Sequence, residues 1–458
     1  MDLVPGRATV TFPFQATGTL CDVATPDPRS QAASRGDDSA RAWLAARYRG
    51  VRARTLALAS PLSPEDAVVQ SMDDASPAKW HLAHTTWFFE RFVLAPRAGE
   101  PAMDAAWDFL FNSYYNSVGP MHARPRRGLV TRPTLAEVLD YRARVDARIE
   151  RVLDGGDLDD GAANVLLLGT HHEQQHQELL LTDIKHAFWC NPLGPAYRAA
   201  LPASPAAASP LRWIAREETV AEVGAAPWPR DPGSADGFAY DNESPPHRVI
   251  VPAHALASRP VSNAEYADFV ADGGYGNPTH WLSDGWAWRQ REGIARPLYW
   301  HEDGVREFTL AGWRARDPHA PACHLSLYEA DAYARWAGAR LPTEHEWERA
   351  AAGALVEGNF ADEDALHPLP AAPADAGLQQ LFGDVWEWTA SAYAAYPGFA
   401  PLPGSLGEYN GKFMSGQLVL RGGSCATPRD HVRATYRNFF PPHARWQFSG
   451  LRLAKDSA

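Results

Sequence analysis

Apolar residues recur at helical spacing in four stretches of the first 190 residues, and helix-start signals accompany them. The second stretch opens at Ser76-Pro77, an N-cap residue followed by a proline at the first helical position. The third opens at the capping box Thr134/Glu137. The four predicted helices cover about 38–60, 76–94, 134–153 and 162–190. Four successive helices predict a four-helix bundle.

The pattern changes after residue 194. Residues 195–211 place four prolines among alanines, a composition typical of a linker. Beyond them, short stretches with strand character alternate with loops rich in Gly, Pro and Trp, and three capping boxes each announce a short helix. The predicted strands include 247–251, 417–421 and 450–454, and the capping boxes are Ser262/Glu265, Ser326/Glu329 and Thr343/Glu346. This pattern predicts an α+β domain over 212–458 that follows a helical domain over 38–194.

Residues 1–37 mix Gly, Pro, Ser and Asp without periodicity, which is typical of a tail or of an ordered arm, and the sequence leaves both open. They lack a basic start followed by an apolar run, and no 18-residue apolar stretch occurs in the chain. Neither a signal peptide nor a membrane span is therefore predicted.

Composition and charge narrow the class of protein. The 458 residues are enough for two well-buried domains. With 43 Lys plus Arg against 55 Asp plus Glu, the net charge is -12, which disfavours nucleic acid and anionic membranes as partners. The four cysteines are far apart and form no CxxC pair, as expected for reduced thiols in a cytoplasmic protein. The oligomeric state stays open.

Two histidines, His172 and His176, lie four residues apart in the fourth predicted helix, so their imidazoles share one face, a spacing typical of metal ligands. Glu178 lies roughly 240° around the helix from His172 and points elsewhere. A third ligand must come from another helix. His84 is the best donor, because a polar imidazole among apolar neighbours needs a partner once buried, and His81 is its rival. The hypothesis is a three-histidine metal site with open positions.

Four motifs in the second predicted domain follow one another in a fixed order. They are Leu-Pro-Thr-Glu-His-Glu-Trp-Glu (341–348), Gly-Asp-Val-Trp-Glu-Trp-Thr (383–389), Arg-Gly-Gly-Ser (421–424) and Gly-Leu-Arg-Leu-Ala (450–454). Together they resemble the formylglycine-generating-enzyme fold, a C-type-lectin-like domain. The helical domain resembles the DinB-like metal-binding bundle. Joined in this order, the two resemble the iron-dependent sulfoxide synthases of ergothioneine biosynthesis, in the branch that uses cysteine, and the closely similar selenoneine synthases.

This resemblance implies a non-haem iron(II) oxidoreductase that uses O2 to join C2 of the hercynine imidazole to a thiol or a seleno donor. The donor would be of the cysteine type, giving hercynylcysteine sulfoxide, or a selenosugar in selenoneine biosynthesis. His84, His172 and His176 match the family's iron-ligand motifs. Neutral imidazoles suit Fe(II), and a facial triad leaves positions open. A triad of two histidines and Glu178 is the alternative ligand set.

The resemblance also implies roles for residues outside the ligand set. Phe-Asn-Ser-Tyr-Tyr-Asn (111–116) resembles a motif whose tyrosines serve at the iron site, so either Tyr114 or Tyr115 is expected to be catalytic. Gln175 matches a glutamine that contacts the substrate imidazole. The family's segment that contacts the ammonium and carboxylate groups of the substrate matches Asn438, Phe439 and Phe440. Aromatic faces suit a trimethylammonium group.

Two other functions compete. DinB-like bundles with a three-histidine site also support zinc-dependent thiol transfer, and a lectin-like domain on an inert bundle would be a binding protein. The protein-modifying activity of formylglycine-generating enzymes is disfavoured, because they carry a cysteine pair where this chain has only Cys425.

Overall fold

The computed structural model describes residues 37–457 except 98, 102, 156–157, 203–209, 230–236 and 375. The predicted tail or arm, apart from residue 37, lies outside these residues. The helices before residue 191 are α1 Asp37–Ala59, α2 Ala78–Phe89, α3 Ala105–Phe111, α4 Leu135–Asp154 and α5 Asp160–Cys190, and a π-helical turn, Glu90–Leu94, continues α2. All four predicted helices are present. Helix α3, which has only seven residues, was not predicted.

The start of α2 differs from the prediction, whereas α4 begins at the predicted capping box. Pro77 is the N-cap of α2, and it makes no side-chain capping bond. Ser76 is instead engaged in tertiary contacts: its N–H donates to Asp183 Oδ2 (2.7 Å), and its hydroxyl accepts from Arg127 Nη1 (2.9 Å). The capping interpretation of Ser76 was wrong because a buried hydroxyl with a charged donor nearby has a better partner than the helix end.

The bundle is held by α5, which packs against α1 and α2, while α2 also packs against α4. Helices α2 and α5 approach closely at Gly169, where a Cβ atom would lie 2.4 Å from Cε1 of Phe89. Large side chains fill the space between the helices, and those that are almost fully buried include Tyr48, Trp87, Phe88, Ile149 and Leu166. Because residue 169 has no side chain, α5 lies close enough to α2 for polar residues of α5 to contact α2.

A charged group is buried beside this core. Glu173 on α5 is fully buried and forms ion pairs with Arg142 and with Arg52 Nη1 (3.0 Å). Its Oε1 also accepts from Thr55 Oγ1 (2.6 Å). Burial alone would raise the pKa of the Glu173 carboxyl, but the two guanidinium groups outweigh it and hold this pKa below its usual range. The network therefore joins α1, α4 and α5 through one carboxylate.

The remainder of the chain, after residue 211, contains small sheets and short helices. The strands are β1 Trp213–Arg216, β2 Thr219–Val223, β3 His247–Val251, β4 His254–Ala257, β5 Arg306–Thr309, β6 Gly312–Ala315, β7 Trp386–Ala392, β8 Leu418–Arg421, β9 Asn438–Phe440, β10 Ser449–Gly450 and β11 Ala454–Asp456. A three-stranded sheet has the order β1-β4-β11, a four-stranded sheet has the order β10-β7-β8-β9, and β2-β3 and β5-β6 form two two-stranded sheets. The helices are α6 Asn263–Ala271, α7 Ser283–Glu292, α8 Leu327–Trp336 and α9 Glu344–Ala351. We call this region the C-terminal region.

The predicted helix starts in the C-terminal region are confirmed, since α6, α8 and α9 each begin at their capping box. The predicted strand 247–251 is also present, and 417–421 begins one residue later. The strand predicted at 450–454 was wrong. Gly450 pairs with β7 in one sheet whereas Ala454 pairs with β4 in another, so the chain has to bend between them.

The predicted class, a helical region followed by an α+β region, is confirmed, while the boundaries at 38–194, 195–211 and 212–458 remain predictions. Within the predicted linker, Tyr197 is buried, and its hydroxyl donates to the Leu58 carbonyl (2.6 Å). None of the helices in the described residues combines the length and apolarity that crossing a membrane requires.

Glu178 joins the helical region to the C-terminal region. This fully buried carboxylate accepts hydrogen bonds from Trp386 Nε1 (2.8 Å), Ser424 Oγ (2.6 Å) and Thr427 Oγ1 (2.9 Å). Burial raises the pKa of the Glu178 carboxyl, and these three donors partly oppose that effect. Since Ser424 and Thr427 lie beyond β8, the contact anchors α5 to the C-terminal region close to His176.

We expect Glu173→Gln to destabilise the metal-free protein by about 3–5 kcal/mol, because the change removes the carboxylate that pairs with the buried guanidinium of Arg142 and leaves Arg52 paired with Asp146 alone. Unfolding in denaturant, followed by helical circular dichroism, measures this loss. The matched control is Glu150→Gln, which removes an exposed pair with Arg49 and should cost less than about 1 kcal/mol. Equal losses in both variants would contradict the structural role of the network.

Candidate metal centre

Three histidines meet between α2 and α5. One nitrogen from each of His84, His172 and His176 lies within 4.8 Å of the other two, and all three side chains are buried. The nearest atoms are Nε2 of His172 and His84, 3.2 Å apart, and Nε2 of His172 and His176, 3.1 Å apart. Among the described residues, these three histidines are the group of His, Cys, Asp or Glu side chains that lie close enough together to hold a metal ion.

His84 has a defined tautomer. Its Nδ1 lies 2.6 Å from the carbonyl oxygen of Phe111, the last residue of α3. A carbonyl can only accept, so Nδ1 carries the proton, and Nε2 of the neutral ring presents a lone pair to the other histidines. Trp80 and Trp87 stack on the imidazole with ring centroids 4.5 Å and 5.5 Å away, which fixes the plane of the ring.

All three imidazoles are held neutral. Burial lowers the pKa of His84 and of His176 well below the usual value, and the neighbouring histidines lower both further. Burial likewise lowers the pKa of His172 to about 3. At neutral pH the three rings therefore offer lone pairs rather than protons, which is the state that a metal ion requires.

The donor set fits a metal ion. Two nitrogen ligands at about 2.1 Å from a metal and at right angles to each other are about 3.0 Å apart, close to the separations observed here. Converging lone pairs in a buried site without a cation would repel each other and stay unsatisfied. Nδ1 of His172 also has no hydrogen-bond partner among the described residues. Imidazole ligands suit iron, zinc, copper and nickel alike, so the ligands by themselves do not name the metal.

His81, the rival ligand, points away from the centre of the triad. Its Nδ1 lies 2.8 Å from Nδ1 of His176, on the side of that ring opposite the converging nitrogens, and its Nε2 lies 3.1 Å from Asp183 Oδ2. Glu178 is also outside the ligand set, because its carboxylate oxygens accept hydrogen bonds from the C-terminal region. His171 stacks on Phe238 with ring centroids 3.9 Å apart.

A cavity opens beside His172, and both regions of the chain supply its walls. Its lining residues are Phe88, Tyr115, Leu168, His172, Tyr240, Leu402, Leu406, Tyr409 and Asn410. Apolar and aromatic side chains dominate this lining, and few polar groups face the space. Residues of both regions therefore enclose one space beside His172.

The two candidate tyrosines lie in different surroundings. Tyr115 is buried and lines the cavity, with its ring 5.0 Å from Phe92 and 5.7 Å from Trp87. Burial raises the pKa of the Tyr115 phenol far above its usual value. Tyr114 packs edge-on against Phe413, with centroids 5.2 Å apart, outside the cavity lining. The structure thus brings Tyr115, not Tyr114, to the cavity beside His172.

Tyr409 is a site residue that was not predicted from the sequence. It lies in the loop between β7 and β8 (residues 393–417), and its ring packs edge-on against His172 with centroids 5.5 Å apart. Its hydroxyl donates to Oε1 of Gln175, and burial raises the pKa of its phenol. No periodicity or motif in this loop marks the residue, because its position depends on how the loop crosses onto the helical region.

This loop is attached to the helical region by polar contacts. Glu408 accepts from the backbone N–H groups of Asn116 (2.9 Å) and Ser117 (2.8 Å), and Lys412 donates to the carbonyl of Tyr114. Asn410 donates to Asp241 Oδ1 (2.7 Å) within the C-terminal region. The contacts place Tyr409 over the cavity.

The predicted substrate-binding residues lie in two different places. Gln175 is half-buried beside the cavity, where Nε2 donates to the Tyr436 hydroxyl (2.6 Å). The other three form β9 at the edge of the four-stranded sheet, and the described cavity lining does not include them: Asn438, Phe439 and Phe440. Phe439 stacks on Tyr393 at 4.0 Å and lies 5.9 Å from Phe413, which contacts Tyr114.

Comparison with known proteins identifies both regions of the chain. Residues 47–180 match the DinB superfamily, and residues 222–380 and 369–457 match the sulfatase-modifying factor enzyme 1-like domain. A hercynine oxygenase of Mycolicibacterium thermoresistibile is 35% identical over 448 residues, which cover 91% of this chain and 95% of that protein. The hercynine oxygenase of Mycobacterium tuberculosis is 34% identical and covers 90% of this chain and 98% of its own length.

The chain therefore belongs to the hercynine oxygenase family, the sulfoxide synthases of ergothioneine biosynthesis, and is an oxidoreductase. This confirms the family that the motifs predicted. Among solved structures, PvdO from Pseudomonas aeruginosa aligns with 54% of this chain and 94% of its own at 19% identity and a TM-score of 0.37.

We expect His84→Ala, His172→Ala and His176→Ala each to weaken Fe(II) and Zn(II) binding by more than about 100-fold, because each removes a metal–ligand bond. Competition with a chelator under anaerobic conditions measures the affinity. The matched control is His443→Ala, which changes an exposed histidine and should leave binding unchanged. Unaltered binding in any of the three variants would remove that residue from the ligand set.

Proposed function

We propose that this protein is a non-haem iron(II), O2-dependent synthase that joins C2 of the hercynine imidazole to a sulfur or selenium donor. The observation that carries the proposal is the convergence of three neutral, buried imidazole nitrogens beside a cavity that also contains phenol groups. The hercynine oxygenases that match more than nine-tenths of their length support the choice of substrate.

With a thiol donor the atoms and electrons of the reaction balance. The C2–H bond of hercynine and the S–H bond of the donor break, and a C–S bond forms. One oxygen atom of O2 becomes the sulfoxide oxygen and the other leaves as water with the two hydrogens. His84, His172 and His176 would hold the iron, and the chemistry supplied there is oxidation of the donor by O2 at open coordination positions.

Tyr115 is the residue that we propose as the proton donor. Its side chain lines the cavity beside His172, and a phenol, which is protonated at neutral pH, can deliver a proton into that space without carrying a permanent charge. Because the lining around it is apolar, bulk water is kept away from the reacting atoms. Tyr409, from the C-terminal region, is the second phenol that reaches the cavity.

Gln175 is proposed to bind the hercynine imidazole. Its amide lies between the hydroxyls of Tyr409 and Tyr436, so a substrate nitrogen would take the place of one of these hydrogen bonds. Asn438, Phe439 and Phe440 are proposed to contact the carboxylate and trimethylammonium groups. The aromatic rings near Phe439 support this assignment, because such faces attract a quaternary ammonium ion.

The donor is proposed to be of the cysteine type or a selenosugar. Zinc-dependent thiol transfer is the second candidate function, since three imidazoles with an open position also suit Zn(II). The two functions differ in their requirement for O2 and iron, which makes them separable by one set of assays.

We expect anaerobically iron-loaded protein to consume O2 only when hercynine and one donor are both present. Cysteine, γ-glutamylcysteine and a selenosugar are tested separately, an oxygen electrode records consumption, and mass spectrometry identifies the coupled product. His84→Ala is the inactive control. Turnover of the zinc-loaded protein without O2 would favour thiol transfer, and no consumption with any donor would contradict the proposed synthase.

We expect Tyr115→Phe to lower kcat for the coupled product by about 100-fold or more with little change in KM, which is the effect of losing a general acid. Tyr114→Phe should stay within about threefold, because its ring lies outside the cavity lining. Tyr328→Phe, a half-buried tyrosine of α8, is the matched control. A larger loss in Tyr114→Phe would reverse the assignment, and no loss in either would leave Tyr409 as the phenol to test.

A further inference from the structure

His81 is a buried histidine that the proposed reaction does not use. It lies one helical turn before His84 on α2, yet it points away from the centre of the triad. Its two ring nitrogens face two residues of α5: Nδ1 lies 2.8 Å from Nδ1 of His176, and Nε2 lies 3.1 Å from Asp183 Oδ2. His81 therefore connects Nδ1 of the proposed ligand His176 to the carboxylate of Asp183.

The directions of these hydrogen bonds follow from the acceptor at the end of the chain. Asp183 Oδ2 accepts from the Ser76 N–H (2.7 Å), and an ionised carboxylate cannot donate. The bond between His81 and Asp183 is therefore donated by His81 Nε2–H. The other nitrogen of a neutral His81 ring then accepts, so His176 donates from Nδ1 and keeps a lone pair on Nε2, the atom that faces His172.

The three proposed ligands differ in the hydrogen-bond partner of Nδ1, the ring nitrogen that faces away from the triad. Nδ1 of His84 donates to a neutral carbonyl oxygen, that of Phe111, whereas Nδ1 of His172 has no hydrogen-bond partner among the described residues. Within the described part of the chain, His176 alone of the three is connected to a carboxylate through a second imidazole. A carboxylate behind a ligand imidazole fixes the ring and raises its basicity, and loss of such support typically costs 10- to 100-fold in metal affinity.

We propose that His81 and Asp183 form a positioning relay for His176, which holds this imidazole in the tautomer and orientation that present Nε2 and makes it the most electron-rich of the three ligands. The proposal rests on the proposed function only in requiring that the three histidines hold a metal ion. Asp183 is itself held in place by the Ser76 N–H, just before α2.

The test compares two substitutions of His81. His81→Gln keeps both hydrogen bonds, since its amide oxygen can accept from His176 and its amide N–H can donate to Asp183, whereas His81→Leu keeps neither. We expect His81→Leu to weaken Fe(II) and Zn(II) affinity by about 10- to 100-fold and His81→Gln to stay within about threefold. Chelator competition under anaerobic conditions measures both, and His443→Leu is the surface control.

Asp183→Asn is the second variant, because it keeps the size of the side chain and removes its charge; we expect about a tenfold loss of affinity. Thermal unfolding of the metal-free proteins separates an effect on ring position from an effect on folding, and the relay predicts that metal-free Asp183→Asn melts close to wild type.

Unchanged affinity in His81→Leu, or equal losses in His81→Leu and His81→Gln, would overturn the relay. If the wild type itself binds neither metal, the proposed function fails instead.

Discussion

Three lone pairs that face one another in the interior of a helical bundle are the constraint on which the rest of this structure depends. Neutral imidazoles in such a position gain nothing from water and repel each other, so the surrounding chain has to hold them there until a cation binds. The close packing of α2 on α5 at Gly169 supplies the rigidity, and the Phe111 carbonyl and His81 set two of the three ring orientations. Metal affinity and the stability of the bundle are consequently linked, because the energy released by the metal is shared with the helix packing that prepares the site.

The chemistry is assembled from both regions of the chain. The helical region contributes the three histidines and Tyr115, while the loop between β7 and β8 contributes Tyr409 and much of the remaining cavity wall. Neither region alone encloses the space beside His172. The hydrogen bonds of Glu408 to the backbone of the segment after Tyr115 hold the two walls at a fixed distance. The candidate site therefore lies at the interface between the helical bundle and a region with irregular loops.

The sequence predicts those features that depend on local spacing. It does not predict features that depend on contacts between segments far apart in the chain. The pair His172 and His176 follows from helical geometry, and four capping boxes mark helix starts correctly. Ser76 was misjudged as a cap because Asp183 and Arg127, remote in sequence, bind it. The strand predicted at 450–454 is divided because its two ends join different sheets. Tyr409 could not be predicted, since only the path of a loop across the bundle brings it to His172.

Glu178 has a consequence for how such proteins can recombine in evolution. All three histidines of the triad precede residue 191, so a bundle joined to a foreign second domain would keep its ligands. It would also keep a buried carboxylate that now relies on an indole and two hydroxyls of the native domain, Trp386, Ser424 and Thr427. A foreign domain without those donors would leave the carboxylate unsatisfied next to the histidine-bearing stretch of α5, which would weaken the association of the two halves. A replacement domain would therefore have to supply equivalent donors at this point of the interface.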